Sequence, residues 1–192
     1  MIDRVLASNK LNINSLNAKN SVELDRFMSE NKEFKFGWEG FKLGEIGNFG
    51  SHYLVWKNLL ESDLDNILVF EDDSLIHDDF IDKYNIAMNN TPEDFDVLSI
   101  YVDQNQYPRL QGNHYVNDYI SYGYQDWSTL CYVVSRQGAR KMLEYVKENG
   151  MDYPTDWFIF RRGHEGIFNV YTLVPDFHPP VEIDRRYESQ VQ

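Results

Sequence analysis

Positive charge is what this 192-residue sequence most lacks: 18 Lys and Arg stand against 31 Asp and Glu, a formal net charge of −13. A protein that tracks a phosphate backbone needs a basic surface, so the balance argues against nucleic acid as a partner. An anionic nucleotide would need a metal or a local Arg/Lys pocket beside it. Adjacent arginines occur only as Arg161-Arg162 and Arg185-Arg186, and solvated surface is the expectation for both. Cysteine is reduced to Cys131. It has no partner for an internal disulfide, and in its apolar run it reads as a small buried residue before it reads as a nucleophile. No apolar stretch reaches the length of a membrane span, and residues 1–20 contain no long apolar signal region. The expectation is a soluble, cytoplasmic chain suited to a reducing compartment. Also missing are a Walker-type phosphate loop, a dinucleotide-binding glycine fingerprint, any Cys/His pattern with zinc spacing, and any internal repeat.

What is present is globular: 42% hydrophobic residues and 15% aromatics, enough for one domain over residues 1–192 with a substantial core. The first forty residues are polar, with a short helical suggestion over 22–28. Gly37, Gly40, Gly44, Gly47 and Gly50 then punctuate what reads as a loop before a helix, in which Phe49, Tyr53, Trp56 and Leu60 share a face. Strands are predicted at 66–70, 96–102, 129–134 and 168–174, and helices at 80–88 and 137–148. The last of these has Ser135 as its N-cap and stops at Asn149-Gly150. Residues 103–127 form a long, partly stranded excursion of the kind that binds something. Alternating helices and strands predict an α/β fold with a mostly parallel sheet flanked by helices.

The run Asn66-Ile67-Leu68-Val69-Phe70 leads directly into Glu71-Asp72-Asp73. Carboxylates at the C-terminal end of a buried strand sit where open α/β sheets place ligands. Three like charges there call for a cation or protons. Hard oxygen donors suit Mg²⁺ or Mn²⁺, which can in turn hold phosphate oxygens. A solvated acidic loop is the plain alternative.

Residues 44–56, GEIGNFGSHYLVW, resemble the GEIGC-x-x-SH-x-x-x-W signature of glycosyltransferase family 25, which includes lipooligosaccharide and collagen galactosyltransferases. The family's strand ending in Glu-Asp-Asp follows as ILVFEDD at 67–73. Its W-x-T-x-x-Y-x-x-S-x-x-G-A pattern is matched by Trp127, Thr129, Tyr132, Ser135, Gly138 and Ala139, and its Pro-x-Asp by Pro154-Thr155-Asp156. The pieces occur in family order over roughly residues 40–180. Departures are Asn48 in place of the usual cysteine, Gly50 in place of an apolar residue, and a reduced or degenerate N-terminal segment 1–40. There, MIDRVLAS replaces a hydrophobic strand followed by arginines.

The resemblance implies a GT-A-like, Rossmann-type fold and a UDP-sugar donor, with a glycan or hydroxylated acceptor. It implies Mn²⁺ (or Mg²⁺) held by Asp73, by Glu71 directly or through water, and by His178. A lone histidine between Phe177 and Pro179 also has a purely structural reading. Asp72, Ser51, His52, Trp127 and Thr129 are implied at the substrate. Asp156 is the implied catalytic base for an inverting transfer, although a helix N-cap would equally explain an aspartate there, and Asp126 competes for the role. Two other readings stand beside this one. A non-catalytic glycan-binding module would keep the aromatics without a nucleotide site. A receiver-like Mg²⁺-binding domain would share ILVFEDD, but it needs a Lys-Pro pair that this chain does not contain.

Overall fold

The computed structural model describes residues 21–102, 114–123 and 128–184. In chain order these form α1 (Ser21–Glu30), α2 (Leu43–Glu61), β1 (Asn66–Phe70), β2 (Ser74–Ile76), α3 (Phe80–Asn90), β3 (Val97–Ser99), β4 (Ile120–Tyr122), β5 (Cys131–Ser135), α4 (Arg136–Asn149), α5 (Thr155–His164), β6 (Val170–Leu173) and β7 (Val181–Ile183). Five strands make the main sheet in the order β1-β5-β3-β6-β4, and β2 and β7 form a separate ribbon.

Side chains alternate across the sheet as strand geometry requires. Ile67, Val69, Val97, Tyr132, Val134 and Val170 face an aromatic core with α2, α4 and α5, where Phe49, Trp56 and Phe158 are fully buried. Leu68, Phe70, Leu98, Cys131, Val133 and Leu173 face the opposite core, which α3 closes with Phe80 and Ala87. Both faces are therefore covered, which is why the strands read as continuous apolar runs. Trp56 and Phe158 stack at 5.9 Å, and Phe49 meets both rings edge-on. Truncating either stacked ring to alanine should cost about 3–5 kcal/mol.

The expected mostly parallel sheet is not what the chain forms. Among the described strands only β3 and β6 pair in parallel, whereas β1–β5, β3–β5 and β4–β6 are antiparallel. Apolar periodicity locates strands but carries no direction. The connection from β3 to β5 is far longer than a helical crossover, so it leaves β5 free to insert between β1 and β3 with opposite polarity. The fold is a mixed α/β sheet flanked by helices. β1, β3 and β6 still run in one direction, and their C-terminal ends share one edge.

Two further expectations change. The glycines read as loop partly belong to α2, which begins at Leu43. A Cβ on Gly50 would lie 3.4 Å from the Phe27 ring, an ordinary van der Waals contact, so α2 and α1 meet closely there. Arg162 is not solvated surface. Its guanidinium is buried against the rings of Tyr145 and Tyr153 and pairs with Asp152 and Glu165. Arg185 and Arg186 lie outside the described residues. Cys131 is buried, and desolvation pushes its thiol far up, as befits a packing residue. No helix among the described residues is long and apolar enough to cross a membrane.

Candidate active site

The acidic edge starts where β1 ends. The Glu71 amide donates to the Leu130 carbonyl at 2.9 Å, so the backbone still follows β5 for one residue and Glu71 is held at the sheet margin. Its carboxylate faces inward. Oε1 accepts from Thr129 Oγ1 at 2.6 Å and lies 3.3 Å from His52 Nε2. Behind it, His52 Nδ1 is 2.8 Å from the Tyr132 hydroxyl, which also accepts from Trp56 Nε1 at 3.2 Å. His52 and Tyr132 are buried. Burial alone would raise the Glu71 carboxyl, but hydrogen bonds from His52, Thr129 and Asn48 bring it below its usual value.

Two residues on, Asp73 has the opposite environment. Its Oδ1 is buried and has no hydrogen-bond partner among the described residues. Burial raises its carboxyl, and the charges of Glu71, Asp72 and Asp184 raise it further. Asp184 is brought there by the β2–β7 ribbon, where its amide donates to the Asp73 carbonyl at 2.7 Å. Asp72 is exposed beside it.

Asp156 sits in the first turn of α5. It is not the N-cap, which is Pro154. Its Oδ1 accepts from the Trp157 amide at 2.8 Å. Burial, then the charge of Glu71, pushes its carboxyl up to about 6, against the hydrogen bond from the Trp157 amide. The influence of Glu71 places Asp156 in its electrostatic neighbourhood. The link is built by Asn48: its Oδ1 accepts from Thr155 Oγ1 at 2.6 Å, and it also hydrogen-bonds Glu71, so one side chain ties α5 to the acidic edge. Beside Asp156, the half-exposed Trp157 ring stacks on Tyr153 at 6.1 Å.

Glu71, Asp72, Asp73, His52, Thr129 and Asp156 are thus brought together. Ser51, next to His52 on α2, donates its hydroxyl to the Gly47 carbonyl of the same helix. His178 is not among them. It is exposed, its carbonyl accepts from Lys83 Nζ, and it lies beside the far end of the ribbon, where His77 N meets Pro180 O. Four residue steps, His77 back to Asp73, separate that end from the acidic edge, about 13 Å at ~3.3 Å per residue. Trp127 and Asp126 lie outside the described residues. Sequence reasoning gave no role to Tyr132, Trp56, Asn48 or Asp184. The motif spacing of the first three was the available signal, and nothing in the pattern flagged Asp184.

As a metal site the edge is partial. Among the described residues no three His, Cys, Asp or Glu side chains form a ready cage. Mg²⁺ and Mn²⁺ in nucleotide sites are held by one or two carboxylates, with water and substrate phosphate completing the shell. An orphaned, mutually repelled Asp73 fits that partial role.

The family model for glycosyltransferase family 25 (LPS biosynthesis protein) matches residues 1–159. The chain belongs to this family. It is 30% identical over 150 residues to human "Procollagen galactosyltransferase 2", covering 77% of this chain and 22% of that protein. It is 29% identical over 131 residues to a "Glycosyltransferase 25 family member" of Drosophila pseudoobscura pseudoobscura, covering 67% and 21%. A bovine relative, "Probable inactive glycosyltransferase 25 family member 3", is 30% identical over 106 residues, covering 52% and 17%. The chain spans about a fifth of the length of these curated relatives.

Proposed function

We propose that this chain is a metal-dependent hexosyltransferase. It moves a galactose-like sugar from a UDP-sugar to a hydroxyl of a glycan or other hydroxylated acceptor, with inversion. The observation that carries the reading is the placing of a partly buried Asp156, its carboxyl raised to about 6, beside the acidic edge of a family 25 domain. Asp156 suits the base: ionised at neutral pH, yet basic enough to accept a proton. The acceptor O–H proton passes to its carboxylate as the acceptor oxygen bonds to the anomeric carbon. The bond from that carbon to the phosphate oxygen breaks, and its electron pair leaves with UDP. Asp73, through Oδ1, would hold Mn²⁺ or Mg²⁺ together with diphosphate oxygens, with Asp72 and Asp184 adding negative field. When bound, the ion supplies charge neutralisation for the departing diphosphate. Trp157 on Tyr153 offers an apolar face for a sugar ring. A GT-A classification belongs to the same reading, supported by three codirectional strands that end at the acidic edge.

A glycan-binding module without catalysis is the second reading, favoured by a relative named as probably inactive. Calorimetric titration of UDP with Mn²⁺, then with EDTA, on wild type and Asp73→Ala separates the two. Binding that needs Mn²⁺ and is lost in Asp73→Ala supports the transferase, and a UDP-sugar screen follows. A folded protein that binds no UDP under either condition sinks it.

A further inference from the structure

We propose that Tyr132 and His52 are positioning residues that hold Glu71 in one orientation through a one-way hydrogen-bond chain, with His52 locked as its Nε2–H tautomer. The proposal rests on the reading of the acidic edge as the donor site, but its geometry stands apart from that reading. Trp56 Nε1–H can only donate, so it occupies one lone pair of the Tyr132 oxygen at 3.2 Å. The Tyr132 proton then needs an acceptor, and His52 Nδ1 at 2.8 Å is the one within reach among the described residues. With Nδ1 accepting, the proton of the imidazole sits on Nε2, 3.3 Å from Glu71 Oε1. The reverse tautomer would aim a ring lone pair at a carboxylate and leave the buried Tyr132 proton without a partner, and buried donors are rarely left so.

Direction therefore runs from Trp56 through Tyr132 and His52 to Glu71. Thr129 donates to the same oxygen, and the Asn48 bridge to Thr155 carries the fixed geometry toward Asp156. The hydrogen-bond chain joins α2, β5 and the end of β1. Glu71 is thereby committed inward, and Asp73 is the carboxylate left to face ligand.

The test is ¹⁵N NMR of histidine-labelled protein, with the His52 signals assigned through His52→Gln. The expected result is a neutral His52 ring with Nε2 protonated and Nδ1 bare. In Tyr132→Phe the ring should lose that single tautomer, and kcat for UDP-sugar turnover should fall roughly 10-fold with the donor KM little changed, as when an outer-shell hydrogen bond is removed. His52→Gln, whose amide nitrogen can replace the Nε2 donor, should keep most of the turnover that His52→Leu loses. A proton on Nδ1 in wild type, an unchanged tautomer in Tyr132→Phe, or equal activity of the Gln and Leu variants would overturn the proposal. If Tyr132→Phe does not fold, the wild-type spectrum and the Gln/Leu pair still decide. If wild type turns over no UDP-sugar, the transferase reading fails while the spectra still judge the chain.

Discussion

Glu71 and Asp73 leave the same strand two residues apart and meet opposite fates. Glu71 turns inward and collects donors from one helix and the approach to a neighbouring strand: His52 and Asn48 on α2, and Thr129 ahead of β5. Its carboxyl is held below the usual value despite burial. Asp73 turns toward its own kind, Asp72 and Asp184, and keeps one buried oxygen without a partner. The chemistry of the two groups is almost identical, so the difference lies in what the rest of the fold delivers to each. One half of the acidic edge is finished by the protein and contributes to its stability. The other half is left incomplete, at a cost in stability, where a cation or ligand can complete it.

The largest effect expected at this edge is on the carboxylate that feels Glu71 without being clamped by it. Asp156→Asn should lower kcat/KM by about 10²–10⁴-fold. Wild-type turnover should rise with pH through about 6, where Asp156 ionises, and then level off; a rate independent of pH between 5 and 7 would remove Asp156 from the role of base. Next in size is the loss of the inner clamp. Glu71→Leu leaves His52 Nε2 and Thr129 without an acceptor and should destabilise the fold by about 2–3 kcal/mol, read as a lower urea midpoint with an unchanged slope. Asp73→Asn should act in the opposite direction. Relieved of repulsion, the metal-free protein should gain up to about 1 kcal/mol, while the rise in Tm that Mn²⁺ gives wild type disappears. Equal destabilisation by both variants would erase the contrast.

The smallest effect is in the pH profile of stability. Glu71 is lowered in the folded state, so the stability it contributes is present above its ordinary value of 4.5 and is lost as pH falls through the folded value. Asp73 is raised, so the folded state keeps a proton that the unfolded chain releases near 3.8. Stability therefore drops as pH climbs from there through the folded value. Urea titrations at several pH values should show Glu71→Gln flattening the first dependence and Asp73→Asn the second.

Much of this architecture was legible in residue order. The apolar run before Glu71 is β1 as read, and Ser135 does cap α4: its Oγ accepts from the Gly138 amide, and the helix stops at Gly150 with φ 82. The expected strands 96–102 and 168–174 overrun the ladders by four and three residues, because Ile100, Tyr101, Val102, Phe168 and Val174 are buried beyond them. Sheet polarity was not legible, since period-two patterning is the same in either direction. The three-residue β2 and β7 are too short and too exposed to pattern at all. At the site, the Glu-Asp-Asp run announced a cluster but not its division. That Glu71 is satisfied depends on His52 and Asn48, which come from a helix well upstream. Tyr132 appeared only as a motif letter on a strand, and its hydroxyl acquires meaning once α2 lies against β5.

The insertion of β5 has a consequence for how the chain is made. Phe70 pairs with Cys131 and Ser99 with Tyr132, so β1 and β3 both wait for a partner synthesised well after them. Contacts so distant in sequence carry a closure cost and slow the assembly of a sheet. Until residue 135 has cleared the ribosome, two apolar strands have open edges on the sides that β5 will occupy, and any product terminated before it would carry them permanently, exposed to pairing with its neighbours. The five residues Cys131–Ser135 thus decide when these two edges stop being open to pairing.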